Sequence, residues 1–288
     1  MKFKYFYTIP LLFLVMCLQL LISCADKSNL NRFNFGTEND SALYYYNKGW
    51  EHILDYGEWT KSEDAYRKAR TFDPDFVLGK GIVGKITTDL EERLAIYNEL
   101  KTQKVDITTD EHLLLNDLIL VLKLFNSRDQ GIPLDASFYT NFYQSSEKGM
   151  RTFIHKYPHE SYIKAEYIEV LHAVHGVKTA LDSIDVLATP LQKKLPFFLS
   201  YTALLESELG NFKNALAKAN ELKQIINNNQ APAVHYTFAR LYLDMDSLDL
   251  AKTNIEKAIA LDAKHQLAFR VKKRIDNKLM EKRLDTID

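Results

Sequence analysis

The side chain with the sharpest chemistry in this 288-residue chain is cysteine, and there are two, Cys17 and Cys24. Two thiols cannot build a disulfide framework. Cys24 follows Leu21, Ile22 and Ser23, so its nucleophile stands behind branched apolar residues and one small one, whereas Cys17 follows the bulky Met16. Four histidines, His155, His159, His172 and His175, form the next cluster. The last two, spaced i, i+3, share a helix face, as a metal-binding pair would. Pro158 cuts the first two off from that helix and no HExxH occurs, so the four read as surface and interhelix histidines, and no metal is expected. Residues 79–84 spell GxGxxG and 79–85 spell GxxxxGK, patterns that cradle phosphate between a strand and a helix. Asp73-Pro74-Asp75 stands where the strand should be, and Ile86 stands where a magnesium-binding hydroxyl is needed, so these glycines read as the small face of a packed helix. Asp244, Asp246 and Asp249 lack the glycine and closing glutamate of a calcium loop and read as a turn and helix cap. With no GxSxG, catalytic carboxylate pair or CxxC, the chain is expected to be neither an enzyme nor the holder of a cofactor.

The elements around Cys24 explain its placement. Lys2 and Lys4 precede an apolar run over residues 11–22, too short to cross a bilayer comfortably and followed by polar sequence, which is the layout of a secretory signal. The ending Leu-Ile-Ser-Cys resembles the lipobox of bacterial lipoproteins. That resemblance implies cleavage of residues 1–23, lipid attachment to the Cys24 thiol, acylation of the new amino group, and anchoring in the bacterial cell envelope at the outer membrane. Several acyl chains anchor stably where one alone is marginal. Residues 25–40, ADKSNLNRFNFGTEND, are polar and without apolar periodicity, so 24–40 is expected to be the acylated cysteine and a flexible tether.

Beyond residue 40 the pattern turns helical. Ten glycines and seven prolines are too few for the closely spaced turns of a β-sandwich, and 46% apolar content is ample for a core. Basic and acidic residues, 37 against 38, nearly cancel, which argues against broad capture of nucleic acid. Internal self-similarity is the strongest signal. Residues 43–74 carry Gly49, the turn Gly57-Glu58-Trp59, then Ser62, Tyr66, Ala69 and Asp73-Pro74, with one extra residue between Gly49 and Gly57. Residues 196–230 carry Ala203, Gly210-Asn211-Phe212, Ala215, Ala219 and Leu222. Residues 232–263 carry Ala239, Tyr242, Asp246-Ser247-Leu248, Ala251, Ile255 and Ala258. These stretches resemble the tetratricopeptide repeat. The resemblance implies an all-α fold, an α-solenoid of tetratricopeptide-like helix-turn-helix repeats over residues 41–263 forming a right-handed superhelix. Within it residues 76–195 are degenerate. A capping box, Thr108 to Glu111, opens an apolar helix to about Phe125, a loop is expected over 126–134, and helices follow over 135–157, 161–175 and 177–193. Residues 264–288 are expected to form the capping helix, with Leu267, Val271, Ile275 and Leu279 inward.

In tetratricopeptide repeats the first helix of each pair lines a groove that takes a peptide or protein helix. Carried over position by position, the groove residues are Tyr46, Trp50, Lys85, Ser200, Leu204, Tyr236 and Arg240, an aromatic and weakly charged set. The expected function is a lipid-anchored, non-enzymatic protein-interaction scaffold whose partner is another envelope protein or peptide. Its membrane contact is the N-terminal lipid, and nucleic acid is not expected. Residues 157–162, Tyr-Pro-His-Glu-Ser-Tyr, followed by Ala165, resemble a signature of the repeat lipoprotein in outer-membrane protein assembly, so an accessory role there is an alternative, as is a small-ligand or nutrient-binding lipoprotein. The anchor is checked directly: Cys24→Ala is expected to abolish metabolic labelling with a palmitate analogue and to release the protein in soluble form.

Overall fold

The computed structural model describes residues 33–102, 107–226 and 230–284. Residues 1–23 and Cys24 lie outside the described residues, as does the expected tether up to residue 32. The chain is all-α, and among the described residues there is no strand and no helix long and apolar enough to cross a membrane. Residues 34–288 form one compact unit, in which the described residues make a series of helical hairpins. The first pairs α1 (Asp40–Trp50), continued by a π-helical segment Glu51–Tyr56, with α2 (Trp59–Phe72). Then come α3 (Val77–Ile86) with α4 (Leu90–Thr102), α5 (Thr109–Gln130) with α6 (Ala136–Lys156), and α7 (Ser161–His175) with α8 (Val177–Leu187). The series ends with α9 (Pro196–Glu208) and α10 (Phe212–Ile226), α11 (Pro232–Asp244) and α12 (Leu248–Leu261), and the terminal α13 (Gln266–Leu284).

Small residues set the close approach of partner helices. Ala203, Ala215 and Ala219 are fully buried between α9 and α10, and Ala239, Ala251 and Ala258 between α11 and α12. The glycines of residues 79–84 lie inside α3, where a Cβ on Gly84 would stand 3.0 Å from both Ile96 and Leu122. Pro196 and Pro232 open α9 and α11 at the first turn, where a missing N–H costs nothing.

Three local expectations need correction. The tether does not run to residue 40: Phe35 is 3% exposed and packs on Tyr46 and Phe153, Thr37 is buried, and Asn39 caps α1 by accepting from the N–H groups of Ser41 and Ala42. The loop expected over 126–134 is mostly helix, because the buried Arg93 guanidinium binds Asn126 Oδ1 and the Asp129 carboxylate and holds α5 to Gln130, where Gly131 ends it in the left-handed conformation. The helix expected over 177–193 stops at Leu187, and a 3-10 turn, Gln192–Lys194, follows. There the buried Lys164 donates to the Pro158 and Leu187 carbonyls and to Gln192 Oε1.

The extra residue between Gly49 and Gly57 is accommodated as the π-helical segment, the usual way for a helix to absorb one added residue. It ends at Gly57, whose φ is +70° and whose Cα lies so near α11 that a Cβ would stand 2.8 Å from the Ala233 nitrogen. This close approach folds the first hairpin onto the later ones. Neither α9 nor α2 has a side-chain cap from its own N-cap residue. Asp55, 4% exposed, supplies one from the π segment, accepting from the Phe197 N–H at 3.0 Å and from the Tyr162 hydroxyl at 3.0 Å. Asp262 supplies the other, accepting from the Thr60 N–H and hydroxyl at 2.8 Å each. Lys264 pairs with Glu63 at 2.7 Å, and the His265 ring lies between Trp59 and Tyr236.

His265 must stay neutral for this seam. Its Nδ1 accepts from the Ala268 N–H at the start of α13, and burial pushes its pKa down to about 4. A depressed histidine pKa stabilises the fold above pH 6.5, and that stability is lost as pH falls through about 4. The melting temperature should therefore drop across this window by the equivalent of roughly 2–3 kcal/mol. His265→Asn, which keeps a capping side chain, should flatten the drop in a pH series of thermal melts.

Candidate functional site

The seven expected groove residues do not form one groove. Tyr46 is 2% exposed among Phe35, Tyr66 and Phe76, and Trp50 is 5% exposed and stacked on Tyr162. Both belong to the core, because the first hairpin is packed against the array rather than standing at its open end. Leu204 is buried too, between α9 and α11 with Ala203 and Leu241. Ser200 shares a 2.7 Å hydrogen bond with Thr237. Lys85, Tyr236 and Arg240 remain partly exposed, and each is engaged with neighbours.

Those three mark the ends of a polar row that crosses the first helices of four hairpins. Lys85 on α3 pairs with Glu166 on α7 and lies 5.3 Å above the Trp50 ring. Burial works against the Lys85 ammonium, but the Glu166 carboxylate outweighs it and holds the pKa above the usual lysine value. Glu169 stands one turn along α7, and His172 one turn further. The two His172 ring nitrogens meet the Tyr201 hydroxyl at 2.8 Å and Glu208 at 3.1 Å. Glu208 on α9 pairs with Arg240 on α11 at 3.0 Å, and Arg240 also donates to the Tyr236 hydroxyl at 3.4 Å. Arg240 Nε is buried and makes no hydrogen bond. Asp117 on α5 accepts from the Ser146 hydroxyl and feels the charges of Lys85 and Glu166 in the row, and burial pushes its carboxyl up to about 6.

The row is therefore charged, not aromatic. Glu166, Glu169, His172 and Glu208 were not among the expected residues, yet the spacing 166, 169, 172 puts three of them on one face of α7. His175 lies elsewhere, against Glu147, and His155 bonds to the Arg151 carbonyl. Among the described residues no three His, Cys, Asp or Glu side chains are placed to hold a metal ion. The stretch 157–162 works in local packing. The Tyr157 hydroxyl donates to Asp110, that of Tyr162 to Asp55, and Ser161 Oγ accepts from Gln192.

Glu169 is the responsive member. Although its side chain reaches water, the protein walls of the row raise its carboxyl to about 8, and the Glu166 charge adds to the effect. A carboxyl raised above its unfolded value favours the fold when protonated, so this contribution is complete below pH 4.5 and lost as pH rises through about 8. Glu169→Gln is expected to gain stability relative to the parent chain as pH rises across that window, measured as the difference between two series of thermal melts.

No family profile matches the sequence, and no curated protein matches it. Among solved structures, a tetratricopeptide repeat protein from Parabacteroides merdae is similar over 84% of this chain and 88% of its own, at 16% identity and a TM-score of 0.42.

Proposed function

We propose that the chain is a non-enzymatic interaction scaffold, held at a bacterial envelope membrane through Cys24, which presents the polar row of α7, α9 and α11 to a segment of another envelope protein. The observation that carries this reading is the row itself: Glu169, His172, Glu208 and Arg240 line up across three successive hairpins at a surface that water reaches. A row of charges on separate helices recognises a chain laid across them, because each hairpin contributes one contact and the partner's register is fixed by their spacing. Acidic groups outnumber basic ones here, which favours a partner segment carrying lysine or arginine. Such a cation near Glu169 would draw its proton off, so binding should tighten as pH rises toward 8.

Site-specific photocrosslinking tests the reading. A photoreactive residue at position 169 or 208 is expected to trap one discrete partner in cells, and Arg240→Glu should abolish the adduct while leaving the circular dichroism helical. Adducts only from the outer helices, for example at position 218 on α10, would overturn the assignment of the row.

A further inference from the structure

The terminal helix α13 carries seven basic side chains against two acidic ones. Its inner face is apolar, with Ala268, Val271 and Ile275 buried in the core they share with α11 and α12. Its outward face is not purely polar either. Phe269, Met280 and Leu284 are 47%, 58% and 60% exposed there, although the helix has already buried its apolar stripe elsewhere. Steps of three and four residues put these three on one line with Lys273 and Asn277. Phe269 and Met280 thus stand about 16 Å apart along the axis, at two ends of a stretch centred on Lys273 and Asn277.

The cations divide into two groups. Lys272 pairs with Asp276 at 2.6 Å, and Lys282 pairs with Asp246 at 2.6 Å, with Lys278 reaching the same carboxylate at 4.0 Å. Arg270, Lys273 and Arg274 are exposed, and among the described residues they enter no ion pair. Lys273 lies on the apolar line itself, and the two arginines lie beside it. Single exposed apolar residues are ordinary on a protein surface, but three of them in register with unpaired cations form the pattern of a helix lying in a membrane interface.

We propose that the outward face of α13 lies on the surface of an anionic phospholipid bilayer. Headgroup phosphates meet Arg270, Lys273 and Arg274, while Phe269, Met280 and Leu284 enter the boundary between headgroups and acyl chains. The long stem of Lys273 covers apolar surface while its ammonium stays at headgroup level. Charge complementarity selects the bilayer's anionic lipids, and the apolar line selects a bilayer over a polyanion in solution, which would leave those three side chains in water. The contact makes no use of the polar row on α7, α9 and α11, so it and the photocrosslinking result stand or fall independently.

A fluorophore sensitive to polarity, attached at Asn277→Cys in the full chain with Cys17 and Cys24 replaced by serine, reads the contact locally. Titrated with vesicles of phosphatidylglycerol and phosphatidylcholine in equal parts, its emission should shift to the blue and saturate, and with phosphatidylcholine alone it should not. Lys273→Gln with Arg274→Gln should weaken docking by about 30-fold, roughly fivefold for each cation. Phe269→Ser should weaken it by about 5-fold while keeping its dependence on salt. All three side chains point away from the core, so the circular dichroism should stay helical in these variants. The same fluorophore at position 218 on α10 should not respond. No shift at 277, an equal shift on both kinds of vesicle, or an equal shift with polyglutamate in solution would each overturn the proposal. So would a dimer in sedimentation that Met280→Ser dissolves, because a second copy of the chain would then cover the face.

Discussion

Two aspartates cap helices that belong to hairpins far from their own. Asp55 terminates α9 across 142 residues of sequence, and Asp262 terminates α2 across 202. The first N–H groups of a helix have no intrahelical partner, and a carboxylate there also meets the positive end of the helix dipole. Once the two caps are exchanged, the first hairpin and the later ones each satisfy a need of the other. Everything near the seam depends on this: the burial of Trp50 and Tyr46, and the neutral His265 between two rings. An open array would leave Trp50 to solvent.

Closure also decides which polar groups stay accessible. The first hairpin occupies surface that an open array would offer to a partner, so the accessible polar groups lie further along, on α7, α9 and α11. There Lys85 with Glu166 and Arg240 with Glu208 are paired, and among the described residues Glu169 enters no ion pair. Desolvation and the nearby Glu166 charge raise the Glu169 carboxyl, and a cation beside it would lower it again.

The fold was legible in sequence because it rests on spacing. Alanines at 203, 215, 219, 239, 251 and 258 mark close helix approach, and the prolines at 196 and 232 mark where helices begin, all of which local pattern records. The seam was not legible. Asp55, Asp262 and His265 look like ordinary polar residues at helix ends, and only their partners, 107 and 142 residues away for Asp55 and 202 for Asp262, give the aspartates meaning. The groove failed for the same reason: position within a repeat predicted that Tyr46 and Trp50 face a groove, but the hairpin that carries them is covered by the rest of the chain. One clue was available, the extra residue before Gly57, since an insertion inside a helix re-aims every side chain after it.

That π-helical segment bears on how the protein is made. Repeat arrays ordinarily fold by growth from neighbour to neighbour, with each added pair stabilised by the one before it. Here the first hairpin contains a π turn, a buried carboxylate whose partners lie on α7 and α9, and an α2 whose cap, Asp262, lies just after α12. Contacts of such long sequence separation form late, because the loop entropy is lost before the contact repays it. The first hairpin therefore stays incompletely satisfied until Asp262 is synthesised, and its docking converts a series of locally stable pairs into a single cooperative unit. A chain truncated before Asp262 would keep most of its helices and lose this all-or-none behaviour.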